Sequence, residues 1–257
     1  MRITLDWRKT LQENASGCYS LAKELARKQE GARRAISETE GQMAQAQNRM
    51  LAASECKALP AMRRKREWFE KFRWFYISGG KPVVAGRDAK QNDQLVSRIM
   101  EDDDLFFHAD IQGAPATILK GGNGATGIEK LEAAQFAASH SSAWKAGAAG
   151  VDVYAVRKSQ LSKHAQGGYV GAGGFAIAGE REWFRGTPLG IAIGKKDDVV
   201  LCLPKNHPDA KVVGIEIGMG FVEKGKAAKM IAHLLKANQD EVVAALPSGK
   251  FSIREKR

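Results

Sequence analysis

Cysteine is scarce. Cys18, Cys56 and Cys202 stand far apart, and three isolated thiols frame no disulfide scaffold. No CxxC pair and no His/Cys cluster occurs, so no metal site is expected. No apolar run approaches the roughly 20 residues a bilayer-crossing helix needs. The opening Met1-Arg2-Ile3-Thr4-Leu5-Asp6-Trp7 lacks the apolar segment of a secretory signal. Together these absences lead to the expectation of a soluble, cytoplasmic protein with no membrane partner. Acid is short against base, 29 Asp and Glu to 40 Lys and Arg, a formal charge of +11. Such an excess favours polyanionic partners, nucleic acid first.

What is present divides into two compositions. Leu11, Ala15, Cys18, Ala22, Leu25, Gln29, Ala32, Ile36, Thr39, Met43, Ala46, Met50 and Ala53 recur at alternating spacings of four and three, a heptad seam. Asp6 is placed to cap the helix and Pro60 to stop it, so residues 1–60 read as a coiled-coil-type helix of roughly 70 Å. Its seam is alanine-rich and buries little per layer. The stripe therefore calls for a second copy, a hetero-partner, the domain itself, or a hairpin folded near Gly31 or Gly41.

Residues 61–257 change to aromatic and β-branched sequence punctuated by glycine. Strands are predicted at Trp74–Ser78, Pro82–Ala85, Leu105–Phe107 and Ala116–Leu119, then at Val151–Val156, Gly174–Ala178, Leu189–Gly194, Val199–Leu203 and Val212–Ile217. Helices are predicted at Ala89–Met100, Gly127–Ala146, Lys224–Ala237 and Gln239–Leu246. Strand–helix alternation is not sustained, so the fold class is α+β: a long N-terminal helix, then a mixed, mostly antiparallel sheet with flanking helices.

Candidate functional residues concentrate between Arg63 and Lys120. Arg63, Arg64, Lys65, Arg66 and Arg73 lie among Trp68, Phe69, Phe72, Trp74 and Phe75. Cations neutralise phosphates and aromatic faces stack bases, although packing in the core is the commoner fate of phenylalanine. The Gly86-Arg87-Asp88 loop enters a helix and has the features of an anion site, opposed by Asp88 if that residue caps the helix. It is neither a Walker A nor a GxGxxG loop, and no cofactor is expected. His108 and Asp110 alternate on a strand and share a face. With Gly86, Arg87, Asp88 and Asn92 they are expected to line a polar pocket. Lys90, Lys120 and Lys163 complete the expected phosphate contacts. Trp144 reads as core, and Lys224, Lys226 and Lys229 at a helix start hint at an external anion.

Trp68-Phe69-Glu70-Lys71-Phe72-Arg73-Trp74-Phe75, Gly86-Arg87-Asp88-Ala89-Lys90-Gln91-Asn92 and His108-Ala109-Asp110-Ile111-Gln112-Gly113-Ala114 resemble the signature of the NFACT-R domain. So do Ala143-Trp144, Gln160-Leu161-Ser162-Lys163 and Gly171 to Gly179, and Asp6-Trp7-Arg8-Lys9 resembles the family's entry into its coiled coil. That domain is the C-terminal part of ribosome-quality-control proteins. The resemblance implies an RNA-binding, stand-alone relative of archaeal type that touches tRNA or the ribosome, without the N-terminal tRNA-gripping domains of longer members. Two alternatives stay open. One is an RNA-processing or RNA-modifying enzyme using Arg87, Asp88, His108 and Asp110; the other is a coiled-coil scaffold for protein partners.

Overall fold

A computed structural model describes residues 4–55, 67–165, 168–211 and 214–255. The chain divides into two units, 1–65 and 66–257. In the first, helix α1 runs unbroken over Leu11–Glu55, as expected for the long helix, and the alternative of a hairpin near Gly31 or Gly41 does not form. Thr10, not Asp6, caps it: the Thr10 N–H donates to Glu13 Oε2 at 2.8 Å and the Glu13 N–H to Thr10 Oγ1 at 3.3 Å. This reciprocal box satisfies two orphan donors where Asp6, four residues earlier, satisfies none of the helix's own. The seam from Leu11 to Met43 is exposed throughout. The side chains of Ala46, Met50 and Ala53, and Pro60 altogether, lie outside the described residues.

The second unit begins with the hairpin β1 (Arg73–Tyr76) and β2 (Pro82–Ala85). Helix α2 (Ala89–Gln94) follows and widens into a π turn at Leu95–Ile99, which presses Leu95 and Met100 onto the sheet. Next come β3 (Leu105–Ala109), β4 (Thr117–Leu119), α3 (Gly127–Ser139), α4 (Ser142–Ala146) and β5 (Gly150–Arg157). The helix predicted over Gly127–Ala146 is thus two. Ser141 interrupts it because its hydroxyl takes the Ala143 N–H and starts a new helix. Four two-residue strands pair as ribbons: β6 (Leu161–Ser162) with β9 (Ala176–Ile177), and β7 (His164–Ala165) with β8 (Gly168–Tyr169).

Strand β10 (Glu182–Pro188) completes a six-stranded antiparallel sheet in the order β1-β2-β4-β3-β5-β10. A second antiparallel sheet follows from β11 (Ile191–Lys196), β12 (Val199–Pro204), β13 (Ile215–Glu223) and, beyond α5 (Lys224–Leu235) and α6 (Gln239–Ala245), β14 (Lys250–Glu255). Its order is β12-β11-β13-β14.

Strand alternation distributes the core. Leu105, Phe107 and Ala109 face α3 and the second sheet, while Phe106 and His108 face the opposite side. Alanines 133, 134, 137 and 138 let α3 lie close against strands of both sheets. The other face of the large sheet is covered by Phe69, Phe72, Leu95 and Met100, and partly by Leu161, Phe175 and Ile177. Trp144 is buried, its indole N–H donating to Lys250 O at 3.2 Å. Among the described residues no helix is long and apolar enough to cross a membrane.

Candidate nucleic-acid interface

Arg63, Arg64, Lys65 and Arg66 lie outside the described residues. Of the aromatics that follow, Phe69, Phe72 and Phe75 are buried, whereas Trp68 is 47% exposed. Arg73 and Arg87 clasp the first hairpin: Arg73 Nη1 donates to Gly86 O at 2.8 Å and Arg87 Nη2 to Phe72 O at 3.0 Å. Arg87 therefore spends one of its donors on a backbone carbonyl. Burial, then the charge of Arg87, lowers Arg73 to about 10, and its Nε is buried with no partner. Lys224 donates to Leu246 O at 2.9 Å. Burial, then Arg73 and Arg87, pulls it down to about 8. These three cations make no ion pair among the described residues, so this corner of the domain is left electropositive.

Lys224 has a consequence for stability. Its folded pKa of about 8 lies below its ordinary 10.5, so between those values the unfolded chain binds more protons and this group makes stability rise with pH. Below about pH 8 the lysine is charged in both states and its full cost is present. Lys224→Met is expected to flatten the rise that the native chain shows from about pH 8 to about pH 10, read from urea midpoints at successive pH values.

The Gly86–Asn92 loop spends its donors internally. Asp88 Oδ1 accepts the Gln91 N–H at 2.8 Å as the cap of α2, and the Arg87 N–H donates to Gln91 Oε1 at 3.1 Å. Asn92 turns inward: it is buried, and its Oδ1 accepts the Ala116 N–H at 3.1 Å. Gly86 is required because a Cβ there would lie 2.0 Å from that same oxygen. Lys90 is exposed.

Two expected phosphate ligands are structural instead. Lys120 Nζ donates to Ile99 O at 3.1 Å, Glu101 Oε2 at 2.8 Å and Asp104 Oδ2 at 2.7 Å, which uses all three of its protons. Lys163 is bound by Asp93, donates to Gly174 O at 2.7 Å and lies 4.2 Å over the Phe175 ring. Asp93 also takes the Gly173 N–H, at 3.1 Å. The lysine thus ties the glycine-rich 171–175 segment to α2, uniting motifs distant in sequence.

The expected pocket divides in two, with Gly86, Arg87, Asp88 and Asn92 in one loop and His108 and Asp110 apart from it. His108 lies two strands from the Gly86 loop, with β4 between. No hydrogen bond or ion pair joins it or Asp110 to Arg87, Asp88 or Asn92 among the described residues. His108 stacks on Phe106 at 6.0 Å, and its Nδ1 is 3.4 Å from the Tyr154 hydroxyl. Burial lowers its pKa, which favours the neutral ring. Asp110 lies past the end of β3 and is exposed. Cys202 and His140 are 3.8 Å apart in the core, but burial pushes the thiol up to about 12, so it is not an activated nucleophile.

Residues missed in the sequence form a more continuous row, with Tyr154 buried and His108 and Trp183 half-buried on either side of it. Trp183 pairs with Tyr154 in register, and Tyr154 with His108, so three ring side chains cross one sheet face. Tyr154 and Trp183 are 5.5 Å apart. Arg181 lies 4.7 Å over Tyr154 and Arg185 lies 3.9 Å over Trp183. The available signal was the alternation Arg181-Glu182-Trp183-Phe184-Arg185, whose odd positions share one face.

An antiparallel α+β domain whose Arg73, Arg87 and Lys224 make no ion pair among the described residues, and whose sheet carries arginines over a row of rings, has features that suit a polyanion. Residues 71–179 match the model of the NFACT protein RNA binding domain; the chain carries an NFACT-R domain and belongs with that family. It is 36% identical over 205 residues to the archaeal Rqc2 homolog aRqcH of Methanocaldococcus jannaschii, across 76% of this chain and 30% of that protein. The ribosome quality control complex subunit NEMF homolog of Drosophila melanogaster is 39% identical over 133 residues, 51% of this chain and 13% of the relative. The C-terminal part of the fibronectin/fibrinogen-binding protein from Streptococcus suis matches 52% of each chain at 23% identity, with a TM-score of 0.40. The chain spans less than a third of the Methanocaldococcus and Drosophila relatives.

Proposed function

We propose that this protein binds RNA in the cytosol, contacting tRNA or ribosomal RNA in translation or ribosome quality control. The observation that carries the reading is the match of residues 71–179 to an RNA-binding domain on a chain of net charge +11. Arg73, Arg87 and Lys90, with the basic run Arg63–Arg66, are its proposed phosphate contacts, and His108 belongs to the ring-bearing face. Pairing of α1 with a second copy or another molecule is part of the same proposal, since its described apolar stripe is exposed.

Filter binding of the purified chain to tRNA and to ribosomal RNA checks this. Each phosphate neutralised lowers log affinity by about 0.7–0.9 per tenfold rise in salt. A handful of contacts therefore predicts a slope of about −3 to −6. No binding to either RNA at low salt would overturn the reading. Sedimentation of the same samples tests the helix: a monomer would remove its pairing with a second copy.

A further inference from the structure

Arg185 has 63% of its side chain exposed, yet it is held on two sides. Its Nη1 donates to Asp152 Oδ2 at 2.6 Å, and its guanidinium lies 3.9 Å over the Trp183 ring. Asp152 is fixed in turn, its Oδ1 accepting the Gly186 N–H at 2.7 Å. A bulge between Phe184 and Thr187 sets this geometry, with Gly186 at a φ of 56°, a left-handed conformation that glycine adopts without strain. An exposed arginine ordinarily samples many rotamers, and ordering it on binding costs entropy. Here the guanidinium is placed in advance by Asp152 and the indole.

Beside it, along the free edge of β10, is a cleft of about 380 Å³ whose walls include Leu131, Gln135, Trp183, Arg185, Pro188 and Asn206. Gln135 braces it, donating through Nε2 to Pro188 O at 3.1 Å and accepting the Asn206 N–H through Oε1 at 2.7 Å. The Asn206 side chain is exposed and its amide has no partner among the described residues, so it retains a donor and an acceptor for a base edge. Arg181, on the same face of the strand, makes no ion pair among the described residues and is available to a neighbouring phosphate.

We infer that this cleft takes one unpaired nucleotide of an RNA strand, its base stacked on the Arg185 guanidinium over Trp183 and its edge met by Asn206. Resting on the RNA-binding reading, it adds the site and the preference: single strand over duplex. A planar guanidinium stacks on a base and an ammonium does not, so Arg185→Lys separates stacking from charge.

The full chain is titrated, by anisotropy and 2-aminopurine fluorescence, with a single-stranded RNA of about a dozen nucleotides carrying that base. The same strand in a duplex is the control. Arg185→Lys is expected to weaken single-strand binding about tenfold and to abolish the 2-aminopurine quenching, while duplex binding stays within about twofold. Asn206→Ala tests the second contact at an exposed position and is expected to lose several-fold on the single strand alone. Unchanged single-strand affinity and quenching in Arg185→Lys overturns the site and leaves RNA binding standing. An equal loss on both RNAs means a phosphate contact only and overturns stacking. A native chain that binds neither RNA overturns the functional reading along with it.

Discussion

Phe72→Ala is expected to cost the domain about 3–5 kcal/mol, the range for emptying a buried phenylalanine site. For a unit of this size that lowers the melting midpoint by roughly 6–20 °C. Phe72 is fully buried among Val84, Leu95, Met100 and Phe106, so truncation leaves a cavity beneath the π turn. RNA affinity, measured well below the lowered midpoint, is expected to stay within about twofold, because a ring without exposed surface stacks on no base. Calorimetry and RNA titration of one preparation separate the cases: a large affinity loss with little change in midpoint would mean that the ring meets RNA. Trp68, nearly half exposed, should behave in the opposite sense in stability, with Trp68→Ala shifting it by no more than about 0.5 kcal/mol.

Asn92→Ala should cost about 1–3 kcal/mol, because it strands the buried Ala116 N–H, whose acceptor is Asn92 Oδ1. Gly86→Ala should cost a similar amount by another route. The new Cβ, 2.0 Å from that oxygen and 3.0 Å from the Asn92 backbone nitrogen, expels the side chain and breaks the same bond. Since both changes remove one interaction, the double variant should lose clearly less than the sum. Urea unfolding of the four chains closes the cycle, and strict additivity would show that Gly86 and Asn92 act independently.

The same pair illustrates where sequence reading stops. Gly86 and Asn92 stood out by composition and position in the loop, and both matter, but as a stitch between the loop and β4. Lys120 and Lys163 read as cations for phosphate because a lysine in sequence carries no sign of its acceptors. Asp104 and Asp93, which occupy them, lie 16 and 70 residues away. Strand β10 was overlooked because Glu182 and Arg185 interrupt its apolar content, and an edge strand needs only one buried face. The Arg-x-Trp-x-Arg alternation inside it was legible but reads equally as a solvated face until Tyr154 and His108 are placed beside it.

By itself the sequence determined the class of the chain: the long helix from its heptad period, the α+β body from its strand and turn pattern, the basic charge, and the NFACT-R family from motifs that keep their order. Those are local or additive properties, carried by neighbouring residues. Only the tertiary structure decided which cations are free and which rings are exposed. Arg73, Arg87 and Lys224 converge from the first hairpin and the start of α5 with no acid paired to them among the described residues, while Lys120 and Lys163 are neutralised by Asp104 and Asp93. Pairing and burial depend on contacts between residues far apart in the chain, so a residue's type indicates which partners it can accept, and the fold decides whether protein or RNA supplies them.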